Sequence, residues 1–313
     1  MILSFLMLLL ASALLYFGAD GLVGGSARIA FKMGIKPLIV GLTIVAFGTS
    51  SPELVVSVNA NLAGNSDITL GNVIGSNICN IGLIVGITAL IKPINVSLQI
   101  VRKDIFIMCA VSVLPLIMLI DGQIGRVEGV ILILLLVVYL WLLIFMTSKK
   151  GNLEVDTEID SIVKKSKPMW MNIAFIIGGL ALLIVGADLF VEHAIEIARF
   201  FNVSESVIGL TIVAIGTSLP ELATSVVASI KGESDISLGN IVGSNIFNIL
   251  AILGIAAVIS PISFGNITYI DLSIMLMFAV ILLPLARTGF IIDRKEGIVL
   301  LLLYVGYIYI LLR

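Results

Sequence analysis

The sequence predicts an all-α polytopic membrane protein of ten transmembrane helices, arranged as two inverted five-helix repeats with broken helices at the centre. Three observations lead there. The 313 residues are 59% hydrophobic and 12% charged, with a mean hydropathy of +1.21; a soluble domain is about 45–50% apolar and about 25% charged. Apolar runs long enough to cross a hydrocarbon core of about 30 Å recur along the whole chain. Finally, the chain repeats itself. Gly41–Glu53, GLTIVAFGTSSPE, returns as Gly209–Glu221, GLTIVAIGTSLPE, and Leu70–Asn80, LGNVIGSNICN, returns as Leu238–Asn248, LGNIVGSNIFN. Both pairs share one offset, 221 − 53 = 248 − 80 = 168, which also joins Gly18-Ala19-Asp20 to Gly186-Ala187-Asp188.

The spans fall at about 2–24, 37–61, 68–91, 104–120, 124–146, 169–199, 205–229, 236–259, 270–288 and 296–312. The first begins MILSFLMLLL, with no basic n-region and no small-residue cleavage site before Arg28, so it reads as a retained span rather than a signal peptide. The second carries the GTSSPE break, and the third a polar stripe. The segment 147–168 is polar and mixed in charge, a solvated tether between a first repeat at 1–146 and a second at 169–313. Cys79 and Cys109 both lie in apolar spans and suggest neither a disulfide framework nor a thiolate metal site.

Charge sets the orientation. With the N-terminus outside, only Arg126, Arg199 and Arg313 of the eighteen Lys and Arg residues fall in outer segments. Both termini are therefore expected outside a cell membrane, with the linker in the cytoplasm. The repeats begin at spans one and six, an odd number of crossings apart, so the second copy is inserted upside down. Inverted repeats belong to secondary transporters, with ion sites near the midplane where the repeats meet.

The duplicated motif carries the chemistry. Pro52 lacks an N–H and its ring clashes with the preceding turn. Ser50 or Ser51 is placed to cap a new half-helix with Pro52 at its first position. The carbonyls of Ala46, Phe47 and Gly48 then lose their helical donors, and Gly216, Ser218 and Pro220 do the same to Ala214, Ile215 and Gly216. Free carbonyls at membrane depth are tolerated only where they line a cavity or bind something. Glu53 and Glu221 follow, and a carboxylate inside a span marks a functional site by default. Thr49 and Ser50 share its face at spacings of four and three. In the next span Asn72, Ser76 and Asn80 recur every fourth residue, repeated by Asn240, Ser244 and Asn248. Each repeat thus offers a carboxylate, hydroxyls, an amide oxygen and carbonyls, hard donors suited to Ca²⁺ and Na⁺. Asn72 and Asn240 serve equally well as helix glue.

GTSSPE with GSNICN, and GTSLPE with GSNIFN, resemble the paired alpha-repeats of sodium/calcium exchangers in the cation/calcium exchanger superfamily. The resemblance covers nearly the whole chain and is strongest to small prokaryotic members without a regulatory loop. It implies that Glu53 and Glu221 bind Ca²⁺, and Na⁺ in competition with it. It also implies that Thr49, Ser50, Ser76, Thr217, Ser218 and Ser244, with the Ala46 and Ala214 carbonyls, complete flanking Na⁺ sites, and that spans one and six slide across the rest. One departure stands out: Asn80 and Asn248 are both amides, where some prokaryotic members carry an Asp in the second copy. The asparagine spans hold no extra acid, which favours Na⁺ over H⁺ as counter-ion.

The resulting reading is a secondary active antiporter exchanging Na⁺ for Ca²⁺ by alternating access. The alternatives are H⁺/Ca²⁺ exchange, K⁺-dependent Na⁺/Ca²⁺ exchange and, more distantly, a cation channel. No Ser–His, Asp–Asp or HExxH constellation points to an enzyme. No cofactor, nucleic acid or obligatory protein partner is implied; Ca²⁺ and Na⁺ are substrates and the bilayer is the surroundings. Asp20 and Asp188 read as interfacial anchors or a gate, and His193 as a polar anchor.

Overall fold

The computed structural model describes residues 2–148, 168–201, 214–263, 265 and 267–311. Residues 149–167 of the linker and 205–213 of the predicted seventh span lie outside the described residues. The rest is helical, with four two-residue strands. In order come α1 (Ile2–Lys32), α2 (Pro37–Thr49), α3 (Ser51–Leu62), α4 (Ser66–Ile91), α5 (Ile105–Met118), α6 (Arg126–Ser148) and α7 (Met169–Phe200). A short turn at Ala214–Gly216 precedes α8 (Leu219–Ile230), α9 (Ser234–Ile259), α10 (Tyr269–Arg287) and α11 (Arg294–Leu311).

Six described helices are long and apolar enough to cross a membrane, or seven when α2 and α3, bent by 45°, count as one span. The remaining predicted spans are helices of a different kind. α5 has 14 residues and α8 has 12 described residues, while α11 opens on the charged run Arg294, Lys295 and Glu296. α4 and α9 are the most enclosed helices and α1, α6 and α7 among the least. The asparagine stripe therefore sits at the centre. Leu70, Ile74 and Ile78 of α4 and Leu238, Ile241, Ile246 and Ile249 of α9 join one apolar core around it.

α1 and α7, of 31 and 32 residues, exceed the roughly 20 residues a span needs. They pack antiparallel at backbone contact: a Cβ on Gly18 would meet Gly179 and Leu183, one on Gly25 would meet Asn172 and Ile176, and one on Gly186 would meet Ala11 and Leu14. Arg28 of α1 fastens the pair, its Nε donating to Asn172 Oδ1 at 2.8 Å while the guanidinium lies 5.3 Å from the Phe175 ring centroid.

The 168-residue offset recurs in the fold. β1 (Ile94–Asn95) pairs antiparallel with β4 (Ile291–Ile292), and β2 (Gln123–Ile124) with β3 (Ile262–Ser263). Adding 168 to 94 and 124 gives 262 and 292, so each pairing is the other with the repeats exchanged. The loops that meet are also those the charge count assigns to one side together. π-helical turns follow the offset too: Asn80–Val85 in α4 matches Asn248–Leu253 in α9. Among the described residues, two further π-helical turns lie at Gly41–Val45, within α2, and at Ile100–Asp104, before α5.

Candidate cation site

The site grows from the break between α2 and α3. Ser50 leaves helical geometry, at φ −83° and ψ 6°, and Ser218 does the same in the second repeat, at φ −88° and ψ 4°. Pro52 stands second in α3, after Ser51, not first as the sequence suggests. Ser50 does not cap the new helix through its side chain. Its hydroxyl instead donates across the repeats to Glu221 Oε1 at 2.9 Å. The mate of this bond runs from Ser218 Oγ to Glu53 Oε1 at 3.4 Å. Each acid is thus gripped by the serine of the other copy.

The freed-carbonyl expectation needs correction. Ala46 O still accepts the Ser50 N–H at 3.0 Å, with the Thr49 and Ser244 hydroxyl oxygens nearby at 3.3 and 3.5 Å. Gly48 O accepts from Ser51 Oγ at 2.6 Å. Hydroxyls fill the gap that the proline opens, because buried carbonyls seldom go without donors. Ala214 opens the short turn before α8.

Other predicted residues gather here. Thr49, Ser50, Glu53, Ser76, Asn80, Ser218, Glu221, Ser244 and Asn248 are all buried. Ser244 Oγ reaches Glu221 Oε1 at 3.5 Å, and Ser218 Oγ reaches Ser76 Oγ at 3.5 Å. Thr49 Oγ1 donates to Asn240 Oδ1 at 3.0 Å. The carboxylates of Glu53 and Glu221 lie within electrostatic reach of one another. Asn72 and Asn240 are glue: Asn72 Nδ2 donates to Ser57 Oγ at 2.9 Å and Asn240 Nδ2 to Ser225 Oγ at 3.1 Å, each joining the two helices of its own hairpin.

Among the described residues, five oxygens here are buried without a hydrogen-bond partner: Glu53 Oε2, Glu221 Oε2, Asn80 Oδ1, Asn248 Oδ1 and Thr217 Oγ1. Buried polar atoms are nearly always partnered, and two carboxylates held away from water need compensation. A cation supplies both. Among the described residues no three His, Cys, Asp or Glu side chains gather. An ion placed here would meet two acids and neutral oxygens, the hard donor set that suits Ca²⁺ or Na⁺.

The remaining candidates lie elsewhere. Asp20 Oδ1 pairs with Lys231 Nζ at 2.6 Å on a part-exposed edge. Asp188 is exposed, and His193 pairs with Glu196 on its own helix at 3.0 Å. Sequence reasoning missed Asn77 and Asn245, which stand beside Asn80 and Asn248 at the centre. Their recurrence in GSNICN and GSNIFN was the available signal.

The comparisons with known proteins bear on this geometry. The family model "Sodium/calcium exchanger protein" matches residues 3–145 and again 171–313, two stretches with the 168-residue offset. This chain belongs to the sodium/calcium exchanger family. Its exchanger relatives include the sodium/calcium exchanger MaX1 of Methanosarcina acetivorans, 33% identical over 98% of each chain. The inner membrane protein YrbG of Escherichia coli is 38% identical over 90% of this chain and 88% of that protein. The solved structure of the sodium-calcium exchanger NCX_Mj, soaked with zero Na⁺ and Ca²⁺, superposes with a TM-score of 0.85 at 34% identity over 99% of both chains. As an exchanger the chain is a multi-pass membrane transporter.

Proposed function

We propose that this chain is a secondary active antiporter that exchanges Na⁺ for Ca²⁺ across the cell membrane by alternating access. One observation carries the reading: the two duplicated acids meet at a buried centre, each bonded to the other repeat's serine and each keeping one oxygen unpartnered. Glu53 and Glu221 bind Ca²⁺ between them and hold Na⁺ in its absence. Thr49, Ser50, Ser76, Thr217, Ser218 and Ser244, the Ala46 and Ala214 carbonyls, and the amide oxygens of Asn80 and Asn248 complete the coordination. Competition for shared acids makes exchange obligatory, since one site set cannot hold both loads.

The architecture in this reading is ten spans as two inverted five-helix repeats, 1–146 and 169–313, joined by a cytoplasmic linker at 147–168, with both termini outside. Antiparallel packing of α1 on α7 supports the inversion. So do the strand pairs, which join loops placed on one side by the charge count. Two helix breaks at one centre suit a gated carrier.

The test uses purified protein in liposomes loaded with Na⁺ and diluted into Na⁺-free buffer containing radioactive Ca²⁺. Uptake is expected, collapsing when choline replaces internal Na⁺ and not rescued by internal K⁺. Strong uptake driven by an acid interior alone would move the protein to H⁺/Ca²⁺ exchange. Uptake without any trans cation, at clamped potential, would make it a channel.

A further inference from the structure

We infer that Asn77 and Asn245 are positioning residues that fix which end of the Asn248 and Asn80 amides faces the cation site. The inference rests on the cation-site reading above. Four asparagines bond across the repeats. Asn248 Nδ2 donates to Asn77 Oδ1 at 3.0 Å, and Asn80 Nδ2 donates to Asn245 Oδ1 at 3.4 Å. All four side chains are buried.

An asparagine amide is nearly symmetric in shape and opposite in polarity at its two ends. Turned one way it offers a cation an oxygen; turned the other way it offers an NH₂ group that repels the ion. What locks the choice here is a chain of partners that can only accept. The backbone carbonyl of Asn245 receives Asn77 Nδ2 at 3.4 Å, with Met275 Sδ at 3.6 Å beside it. Neither can donate, so Asn77 must turn its NH₂ there and its Oδ1 to Asn248. Asn248 must then give its own NH₂ to Asn77, which leaves its Oδ1 free. In the other copy Met108 Sδ receives Asn245 Nδ2 at 3.5 Å, turning Asn245 Oδ1 to Asn80 and freeing Asn80 Oδ1. Those two freed oxygens are among the buried atoms without a partner. Asn248 stands one turn beyond Ser244, whose hydroxyl touches Glu221, so its side chain shares the face that looks onto the acids.

The lock matters only while residue 248 is an amide. A carboxylate accepts on both sides, so in an Asn248→Asp variant turning the side chain over changes nothing. This separates positioning from packing. Calorimetry of Ca²⁺ binding to the purified full-length protein in detergent micelles reads it without requiring transport. Asn77→Leu should weaken Ca²⁺ binding about tenfold, equivalent to about 1.4 kcal/mol. In the Asn248→Asp background the loss should vanish, since Asn77 Oδ1 then faces a second acceptor and its removal costs no hydrogen bond. Asn77→Ala, which adds no bulk, stands in where the leucine variant does not fold. Equal losses in both backgrounds would make Asn77 a packing residue and overturn the inference, as would no loss in the parent chain. Binding that follows the expected pattern in a protein that fails to exchange would uphold the inference and sink the antiporter.

Discussion

Gly179→Ala puts the α1–α7 contact to the test. A Cβ on Gly179 would lie 2.6 Å from Gly18 O and 2.7 Å from Leu22 N, both backbone atoms of α1. Ordinary contact for a Cβ starts at 3.4 Å. A side chain could swing aside, but a helix backbone cannot, so α1 and α7 must separate by about 0.8 Å. Overpacking of this kind costs about 1–3 kcal/mol. The neighbour supplies the control: a Cβ on Gly178 meets nothing within 4 Å, and Gly→Ala in an open helix position stabilises by about 0.5–1 kcal/mol. The two alanine variants should therefore move thermal unfolding in detergent in opposite directions. Gly18→Ala should match Gly179→Ala, since it presses on the same contact from the other side, and the double variant should cost less than the sum. Unfolding of Gly179→Ala at or above the Gly178→Ala temperature would refute backbone contact between the two long helices.

Glu53→Gln and Glu221→Gln should each nearly abolish Na⁺-driven Ca²⁺ uptake while leaving yield and size-exclusion profile unchanged; near-normal exchange by either would remove that acid from the ligand set. With Ca²⁺ bound the two acids sum to −2 + 2 = 0; a load of three Na⁺ would bring the sum to −2 + 3 = +1. The Na⁺ limb should then carry charge, at roughly 2.3 kcal/mol per charge per 100 mV for a full crossing, and voltage-independent uptake in clamped vesicles would contradict it. Lys231→Met breaks a part-exposed pair with Asp20, so it should shift stability by less than about 1 kcal/mol; a larger shift in thermal unfolding would give that pair a role beyond anchoring.

The sequence made the duplication and its consequences legible because they are written in residue identity. GTSSPE and GTSLPE announced the break, the acids and the meeting of two repeats. What it hid was where lone pairs and protons go. Ser50 reads as a cap from its place before Pro52, yet its hydroxyl leaves its own helix for Glu221. Choosing between those fates requires knowing what stands opposite, which is tertiary. The Ala46 carbonyl was misread for a local reason: the N–H that Pro52 lacks would have served Gly48, whereas Ala46 keeps the Ser50 N–H at 3.0 Å. The π-helical turns at Asn80–Val85 and Asn248–Leu253 left no periodic trace, because one extra residue per turn is invisible in an all-apolar run. Asn77 hid behind Asn80, since the stripe at spacing four passes over it.

The bonds at the centre also bear on alternation. Exchanging the repeats turns Ser50–Glu221 into Ser218–Glu53, and Asn248–Asn77 into Asn80–Asn245. In sequence these pairs are equivalent; in this conformation they are not. The first member of each is the shorter, 2.9 against 3.4 Å and 3.0 against 3.4 Å. Equivalent groups in unequal bonding mean that a second arrangement, with the roles of the copies exchanged, is built from the same residues and the same kinds of bond. In an inverted pair, exchanging the copies also exchanges the two faces of the membrane. In the inverted arrangement proposed above, reversing this bonding asymmetry is what alternating access would ask of the centre.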